Sequence, residues 1–387
     1  MTAAADRPIV VTRLQAHAFR VPVDPPVATA FGTMRDRPAV FVRVEDADGA
    51  FGWGEVFANW PAAGAEHRVN LLRHDVADVL LGVPFADPPA AFEHLTARCR
   101  TRALQCAEPG PFAQAIAGLD TAIWDLAARR GGLPLRRLLD ADAAGDVAAY
   151  ASGIDVRRAG PLVDAARAAG HAAFKLKVGF DAHDADRVRE VAAALGAGQQ
   201  VMIDANQAYD PDGALALARA LADVPLRWFE EPIAADAPDA HWRRVADGSP
   251  HPLAAGENGL GLPSFERLLA TGAVAVIQPD VAKWGGVTGC RAVARLAHAA
   301  GATYAPHFLG GGIGLRASLH LLAAGPGRHD RPGPLEVDVN PNPLRDAFGP
   351  LPVRGGRIAA GDAPGLGIDR LPEGIERHRT LSAEARA

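Results

Sequence analysis

The chain contains little cysteine: only Cys99, Cys106 and Cys290 occur among its 387 residues. Three cysteines form no complete set of disulfide pairs, and their spacing matches no zinc-binding pattern, so we expect free thiols in a reducing compartment. The start of the sequence lacks a basic segment followed by an apolar one, so no signal peptide is predicted. No apolar run approaches the roughly 18 residues of a membrane span. These absences predict a soluble cytoplasmic protein.

The chain also lacks a strong excess of charge of either sign. The net charge is −5, and neither basic nor acidic residues form a block. This balance gives no reason to expect nucleic acid or an anionic membrane surface as a partner. With 49% apolar residues, a chain of 387 residues is long enough to bury a large core and to form more than one domain.

The front of the chain reads mainly as strands. Residues 9–21 are rich in β-forming residues, and the runs 40–44 and 51–55 flank a hairpin signal at residues 46–49. The segment between these strands, residues 23–38, is rich in proline, glycine and threonine. We expect it to form a long loop, of the kind that often acts as a lid.

Helical patterns follow, and the strongest covers residues 112–130. Gly131 and Gly132 end it, and a proline follows shortly after. Its Asp120, Trp124 and Asp125 could suggest a site. Packing of the tryptophan at a domain junction, with capping or pairing of the aspartates, explains them better.

From residue 147 onward, short apolar runs alternate with Ala-rich helical patterns. Such near-continuous apolar runs are typical of parallel strands buried on both faces. The runs are AAYASG, AAFKLKVG, QVMIDAN, LRWFEEP, HPLAAGEN, VAVIQPD, TYAPH and PLEVD. A polar residue ends seven of them, at intervals of 23 to 29 residues: Lys177, Asp204, Glu230, Glu257, Asp280, His307 and Glu336. A solenoid could share the period, but the different polar ends favour a closed barrel whose strand ends meet at one mouth.

Asp204, Glu230 and Glu257 end three consecutive predicted strands. Neighbouring strands lie about 4.8 Å apart, so the three carboxylates can converge and would then repel one another. A hard divalent cation removes that repulsion, and an all-oxygen ligand set favours Mg²⁺ over zinc. Acidic helix N-caps are the alternative, but three in succession at strand ends predict a metal site.

Lys175 and Lys177 are one residue apart in FKLKVG, so both side chains point to the same face of the strand. We expect each ammonium group, helped by a nearby metal, to lower the other's pKa below about 10.4. A lysine with a lowered pKa can act as a base near neutral pH. Two solvated lysines are the alternative, which an otherwise apolar strand disfavours.

Asp280 and His307 end neighbouring strands, so the carboxylate can hold one imidazole nitrogen while the other faces a substrate. A lone histidine is more often structural, but this pair on the rim of a metal site predicts catalysis. Glu336 ends the eighth strand. It could hydrogen-bond a substrate carboxylate if its pKa is raised, or form a salt bridge with an arginine.

A run of glycines, Gly310 to Gly312, opens the helix after the seventh strand and is followed by Ile313 and Gly314. Such a turn can present backbone amides to an anion. It can equally permit a tight loop, so both interpretations stay open.

These motifs together resemble the enolase superfamily, and within it the mandelate racemase subgroup of the mandelate racemase/muconate lactonizing enzyme family. FKLKVG is similar to the family's Lys-x-Lys strand, and IDANQ, WFEEP and AAGEN are similar to its three metal-ligand strands. QPDVAKWGGVTG followed by APH is similar to its Asp–His pair. GLDTAIWDLAARRGGLPL resembles the helix that links cap and barrel, and DAPGLGID resembles the family's tail. The resemblance covers nearly the whole chain.

The resemblance implies an α/β fold: a modified TIM barrel, (β/α)7β, with an N-terminal α+β capping domain. We expect the cap at residues 1–140, the barrel at 141–345 and a C-terminal segment returning to the cap at 346–387. It also implies one Mg²⁺ per subunit, held by Asp204, Glu230 and Glu257, and a homo-oligomer of two or eight subunits. In the shared reaction step a base removes the α-proton of a carboxylate substrate, and the metal stabilises the enediolate.

Two positions favour the racemase-like subgroup. At the position of Asp280, members of the muconate-lactonizing subgroup have a lysine. At the position of Glu257, glucarate dehydratase-like members have an asparagine. The resemblance further implies that Asn206 lies near the α-hydroxyl of a substrate and that Lys283 lies near its carboxylate or just behind it.

Specificity is expected from two segments of the cap, residues 28–34 and 56–61. In them we single out Phe31, Asn59 and Trp60 as candidate substrate-binding residues. The aromatic content is higher than a sugar acid requires, although stacking on a sugar face or simple packing would explain it.

A lysine and a histidine on opposite faces can exchange protons on both sides of one carbon. We expect this pair to dehydrate an acid sugar, an aldonate or aldarate, to a 2-keto-3-deoxy acid, with His307 helping the β-hydroxyl leave. Racemisation or epimerisation of a 2-hydroxy or amino acid would use the same pair and is the second hypothesis. A non-catalytic binding protein on the same fold is the third.

Overall fold

The computed structural model describes residues 7–29, 32–325 and 333–387. Two sheets organise this part of the chain: an antiparallel sheet in the cap and a largely parallel sheet in the barrel. The predicted α/β class, with a capping domain in front of a TIM barrel, is therefore confirmed. No helix of the described residues is long and apolar enough to cross a bilayer.

The cap combines a β-meander with helices that cover one of its faces. Its elements are β1 (Ile9–Thr29), β2 (Gly32–Asp46), β3 (Phe51–Val56), α1 (Gly64–Leu71), a π-helical turn (Leu72–Val76), α2 (Ala77–Leu80), β4 (Pro84–Phe85), α3 (Pro88–Gln105), α4 (Pro109–Arg130) and α5 (Leu135–Leu139). Helix α4 packs directly on β3. The approach is so close that a Cβ atom at Gly54 would lie only 1.9 Å from the carbonyl oxygen of Gly118, so only glycine fits there.

The long loop predicted over residues 23–38 is wrong. Strands β1 and β2 keep pairing beyond the prolines, with Val27 opposite Met34 and Thr29 opposite Gly32. The register shifts between Pro22 and Val27. Because proline has no N–H to donate, an irregularity in the ladder lets the hairpin pass this segment and continue.

The barrel contains the eight strands that the apolar runs predict. They are β5 (Asp146–Asp155), β6 (Ala173–Lys177), β7 (Gln200–Asp204), β8 (Leu226–Glu230), β9 (Leu253–Ala255), β10 (Val276–Ile277), β11 (Thr303–Tyr304) and β12 (Leu335–Asp338). Strands β5 to β11 pair in parallel in chain order, and β12 returns to pair with β5. At Gly333 a Cβ atom would lie 1.8 Å from the carbonyl oxygen of Tyr304, so the start of β12 also lies against β11.

In the described part of the barrel, seven helices cover the outside, one after each of the first seven strands. They are α6 (Ala159–Ala168), α7 (Asp184–Ala193), α8 (Pro211–Ala220), α9 (Asp239–Gly248), α10 (Leu262–Ala270), α11 (Gly286–Ala299) and α12 (Gly312–Ala323), and a 3-10 turn (Val156–Arg158) precedes α6. Outward-facing residues such as Phe174 and Leu176 pack beneath these helices. Inward-facing Tyr150, Met202 and Trp228 fill the barrel interior below its mouth.

The C-terminal part of the chain contacts both layers. It contains α13 (Pro343–Asp346), β13 (Val353–Arg354), β14 (Arg357–Ala359), a 3-10 helix (Glu373–His378) and β15 (Arg379–Arg386). Strand β14 pairs antiparallel with β5 of the barrel. Strand β15 pairs antiparallel with β1 of the cap.

The polar residues of α4 join the cap to the barrel, as the packing interpretation predicts. Asp120 accepts hydrogen bonds from the backbone N and the Oγ1 of Thr288 at 2.9 and 2.6 Å. The indole of Trp124 donates to the same hydroxyl at 2.8 Å. Asp125 accepts from two backbone amides, one on β3 and one in the C-terminal segment. All three side chains are therefore occupied by structural contacts.

Asp120 makes the stability of this junction depend on pH. Burial raises its pKa from 3.8 to about 7, although the hydrogen bonds from Thr288 oppose the shift. Between pH 3.8 and about 7 the folded protein holds a proton that the unfolded chain releases. The stabilisation from the protonated carboxyl is therefore fully present below pH 3.8 and is lost as the pH rises to about 7. We expect Asp120→Asn to remove up to about 1.4 kcal/mol per pH unit of this decline, as measured by urea denaturation. Equal declines in parent and variant would contradict this.

Candidate active site

The carboxyl-terminal ends of the barrel strands bring the predicted polar residues to one mouth. Lys177 pairs with Asp204, and Asp204 with Glu230, so these three lie at one level of the parallel register. On the other side an isolated parallel bridge joins Asp280 to His307. The side chains of the mouth are almost entirely withdrawn from solvent, which strengthens every electrostatic interaction among them.

The two lysines of β6 do face the same way, and both contact Asp204. The Nζ atom of Lys175 lies 2.5 Å from Glu230 and 2.8 Å from Glu336, and Lys177 donates to Asp204. The expected lowering of their pKa is wrong for these contacts. Burial lowers the pKa of both lysines, and Lys175 further lowers that of Lys177, but the surrounding carboxylates outweigh these effects and raise both above the ordinary value.

The Asp280–His307 pair forms as expected, but its outer nitrogen meets a second carboxylate. Nδ1 of His307 lies 2.7 Å from Asp280, and Nε2 lies 2.8 Å from Glu257. Burial lowers the pKa of His307, whereas Glu257 and Glu336, with the hydrogen bond to Asp280, raise it well above the usual range. Since each ring nitrogen faces an acceptor, the contacts favour the doubly protonated imidazolium.

Glu336 lies at the mouth, but it has neither the raised pKa nor the arginine partner that the sequence analysis considered. Its carboxylate pairs with Lys175 and accepts hydrogen bonds from the Ser152 hydroxyl and, at 3.2 Å, from the backbone N of Phe308. Burial raises its pKa, but Lys175 and His307 lower it more, so it falls below the ordinary value. The partner is thus a lysine rather than an arginine, and the side chain is held as an anion.

The charges at the mouth leave a net negative balance that suits a divalent cation. Six buried carboxylates face four cationic groups among the described residues, which leaves two negative charges when all are ionised: Asp204, Glu230, Glu231, Glu257, Asp280 and Glu336 against Lys175, Lys177, Lys283 and His307. Burial, reinforced by Asp204, raises the pKa of Glu230 to about 8. The pKa of Glu231 is raised to a similar value, so near neutral pH these two carboxyls hold protons. A divalent cation such as Mg²⁺, which prefers ionised oxygen donors, can take the place of the two protons.

Within the described chain, no three acidic, histidine or cysteine side chains already stand in a metal-binding group. The reason is visible in the contacts above, because ammonium and imidazole groups pair with each of the three predicted ligands. Cation binding therefore requires Asp204, Glu230 and Glu257 to exchange these partners for the metal.

Two residues that orient Glu230 were missed by the sequence reasoning. The indole of Trp228 and the side-chain amide of Gln278 donate to the same Glu230 oxygen, at 3.0 and 2.7 Å. Both could have been found by strand alternation. Trp228 precedes Glu230 by two residues, and Gln278 precedes Asp280 by two, so each shares the inward face with a predicted site residue.

Left-handed backbone conformations are concentrated directly after the predicted ligands. Asn206, Gln207 and Glu231 have φ angles of 43°, 67° and 38°, which cost about 1–2 kcal/mol each for residues with a Cβ atom. Hydrogen bonds offset this cost: Asn206 donates its backbone N–H to Asp204 at 2.8 Å, and Glu231 accepts from Asn258 at 2.8 Å. Glu231, also missed, has its pKa raised to about 8 by burial and by Glu257.

The predicted substrate-binding residues differ in how far they reach the mouth. Lys283 does so, with Nζ 3.2 Å from Glu257 and 4.8 Å above the ring of Phe57 in the cap. The side chain of Asn59 donates to the carbonyl of Leu309 at 2.9 Å, which makes it a link between cap and barrel.

The two cap segments of the predicted lid meet each other. A Cβ atom at Gly32 would lie 3.1 Å from the ring of Trp60, so this indole lies against the first residue of β2. Phe31 lies outside the described residues.

The glycine run after β11 binds a carboxylate of the chain itself. The backbone amides of Gly311 and Gly314 donate to Glu55, which lies on β3 of the cap. The sequence reasoning treated Glu55 only as a strand end. No local signal identifies it, because its partners are more than 250 residues away.

Comparison with protein families identifies the architecture. Residues 12–140 match the mandelate racemase/muconate lactonizing enzyme N-terminal domain, and residues 160–373 match the enolase C-terminal domain-like family. The chain belongs to the mandelate racemase/muconate lactonizing enzyme family. The resemblance of its motifs to the enolase superfamily is thereby confirmed.

Members of the family with curated functions are similar over most of their length. D-galactarolactone cycloisomerase of Agrobacterium fabrum is 31% identical over 374 residues, which cover 93% of this chain and 96% of that protein. L-talarate/galactarate dehydratase of Salmonella typhimurium is 30% identical, over 89% of this chain and 83% of that one.

Solved structures agree. A mandelate racemase/muconate lactonizing enzyme of Bordetella bronchiseptica RB50 is 48% identical, covers 96% of this chain and 99% of its own, and superposes with a TM-score of 0.90. The Salmonella dehydratase, solved with Mg and L-lyxarohydroxamate, is 27% identical over 100% of this chain and 97% of its own, with a TM-score of 0.85.

The charge balance gives a direct test of the metal ligands. We expect Glu230→Ala to weaken Mg²⁺ binding, measured by calorimetry, by more than the roughly 10- to 100-fold typical of residues that only orient a ligand. Glu336→Gln is the matched control: it removes another buried carboxylate that contacts Lys175, but from the opposite side of the mouth, and should retain affinity within about tenfold. Parent-like affinity in Glu230→Ala would refute the assignment.

Proposed function

We propose that the protein is a Mg²⁺-dependent lyase that removes water from an acid sugar, an aldonate or aldarate, and forms a 2-keto-3-deoxy acid. The observation that carries this proposal is the placement of two proton-transfer groups on opposite sides of the carboxylates. Lys177 contacts Asp204 on one side, and His307 contacts Glu257 on the other. A substrate carbon held between them would meet an amine on one face and an imidazole on the other.

The first step is removal of the α-proton, which is only weakly acidic beside a carboxylate. A bound Mg²⁺, held by Asp204, Glu230 and Glu257, would neutralise the charge that develops on the carboxylate oxygens of the enediolate. Lys177 must be a neutral amine to take the proton. The contact with Asp204 opposes deprotonation because it raises the pKa of Lys177. If Asp204 bound the cation instead, the nearby ammonium group of Lys175 would lower the pKa of Lys177.

The second step is departure of the β-hydroxyl. Glu257, Glu336 and the hydrogen bond to Asp280 favour the imidazolium form of His307, which can donate a proton to the leaving oxygen. In its neutral form the same imidazole would take an α-proton on its own face of the substrate. The substrate loses one hydrogen and one hydroxyl as water, and the enol product becomes the 2-keto acid. We assign Lys283 and Asn206 to substrate binding, and Glu336 to holding Lys175 in place.

The relatives support elimination over the other two hypotheses. One is named a dehydratase for L-talarate and galactarate, and another a cycloisomerase for a galactaric acid lactone. A racemase or epimerase would use the same lysine and histidine and is less favoured by these names. A non-catalytic binding protein would have no need of a complete set of acid, base and metal-ligand residues at one mouth.

We further propose a cytoplasmic homo-oligomer, of two or eight subunits, that binds small carboxylates and neither nucleic acid nor membranes. The free thiols of Cys99, Cys106 and Cys290 suit a reducing compartment. We assign residues 1–140 to the cap, 141–345 to the barrel and 346–387 to the returning segment. The pairing of β15 with β1 and of β12 with β5 supports this division.

Isotope exchange in D₂O with Mg²⁺ and a panel of aldonates and aldarates tests the reaction. We expect the parent to form a keto acid, detected by mass spectrometry, and to exchange α-protons of both configurations, detected by NMR. Lys177→Ala and His307→Asn should each lose exchange by about 10²–10⁴-fold for one configuration and keep it for the other.

His298→Asn, a change at an exposed histidine on α11, is the control and should behave as the parent. Loss of exchange for both configurations in both variants would contradict two separate bases. A parent that neither exchanges nor dehydrates any acid in the panel would contradict the proposed reaction.

A further inference from the structure

Glu55 is a buried carboxylate of the cap that reaches into the barrel. It is 3% exposed and lies near the end of β3. Its two oxygens accept hydrogen bonds from the backbone amides of Gly311 and, at 2.8 Å, Gly314, at the start of α12. These are amides that have no partner within the helix, so the cap carboxylate satisfies them.

The glycines of this turn leave room for that carboxylate. A Cβ atom at Gly310 would lie 2.7 Å from Oε1 of Glu55, and one at Gly311 would lie 3.0 Å from the same oxygen. At Gly314 a Cβ atom would lie 2.4 Å from the ring of Phe308, the residue directly after His307. The turn is therefore packed tightly between the cap carboxylate and the strand end that carries the histidine.

Two neighbours of Glu55 make parallel contacts. The backbone N of Phe57 donates to the carbonyl of Ala282 at 3.2 Å, and the side chain of Asn59 donates to the carbonyl of Leu309 at 2.9 Å. Ala282 lies two residues after Asp280, and Leu309 lies two residues after His307. One cap segment thus holds both backbone segments that follow the Asp280–His307 pair. We call Glu55, Phe57 and Asn59 the cap clamp.

We propose that the cap clamp positions the Asp280–His307 pair, with Glu55 as its principal positioning residue. Glu55 hydrogen-bonds the backbone of residues 308–314 and not the side chains of the pair, although the charge of Asp280 helps burial to raise the pKa of Glu55. Lys177 lies on β6, on the other side of the mouth, and in the described part of the chain its ion pair is with Asp204 and not with a residue of the clamp. Loosening the clamp should therefore impair proton transfer on the histidine face more than on the lysine face. The proposal rests on the proposed function for the role of His307.

Glu55→Gln tests the clamp because it preserves size but places an NH₂ group opposite a backbone N–H. We expect amide hydrogen exchange of peptides covering residues 308–314, measured by mass spectrometry with Mg²⁺ and no substrate, to accelerate about tenfold or more. The downfield imidazole N–H resonance of His307, identified by its loss in His307→Asn, should shift or broaden. With substrate, exchange on the histidine face should fall about tenfold while the lysine face stays within about twofold.

Asp120→Asn is the matched control. Asp120 is as deeply buried, also joins cap to barrel, and also accepts a backbone N–H, but it binds Thr288 on α11. It should alter neither the resonance nor the ratio of the two faces. An effect of the same size in Asp120→Asn would show that the role of Glu55 is only structural, and would overturn the proposal.

Unchanged hydrogen exchange and an unchanged His307 resonance in Glu55→Gln would also overturn it. Should that variant fail to fold, Asn59→Ala, which removes only the Leu309 contact, gives the same readings with a smaller expected change. Neither of these two readings needs a substrate. If the parent exchanges the α-proton of no acid, the proposed function fails. The hydrogen exchange and the His307 resonance would still show whether the cap clamp positions the pair.

Discussion

The structure depends on burying an unequal set of charges at one end of a barrel. An isolated buried carboxylate is costly, and a buried ion pair contributes little unless its remaining hydrogen-bonding capacity is satisfied. The chain meets this requirement because one cation serves several carboxylates. The Nζ atom of Lys175 lies within 3.5 Å of Asp204, Glu230 and Glu336. The two carboxyls in excess of the cations have a raised pKa, and a divalent cation that displaces their protons fits the mouth. Removing one carboxylate should therefore change the pKa of the side chains that contact it.

Strand alternation builds the core and the charge cluster at the same time. On β6, Phe174 and Leu176 face outward beneath the helices, and Lys175 and Lys177 face inward. Each buried apolar side chain stabilises the fold by about 1.5–3 kcal/mol. That burial holds the register which aligns Lys177 with Asp204 on the next strand. A slip by one residue would reverse every side chain, so the geometry of the site is protected by the packing of the core.

This coupling explains what could be predicted from the sequence. The eight strands and the Asp280–His307 contact follow from short-range patterns, because alternation and spacing are local properties. The states of Lys177 and Glu336 could not be predicted, since their pKa depends on a sum over carboxylates from several strands. The β1–β2 hairpin was missed because its proline-rich composition is a local signal for a loop. Glu55 was missed because its partners lie more than 250 residues away.

The contacts between cap and barrel are directional, and this has a consequence for the site. Besides Glu55, a buried ion pair joins Arg37 of the cap to Asp338 of β12 at 2.7 Å, and Asp120 binds Thr288. Hydrogen bonds weaken steeply away from their preferred angles, whereas apolar contacts tolerate sliding. Polar anchors at three places therefore define one orientation of the cap. The segment from β3 to Trp60 carries both the cap clamp and part of the predicted lid. A change that reorients this segment should therefore alter the substrate preference and the position of His307 together.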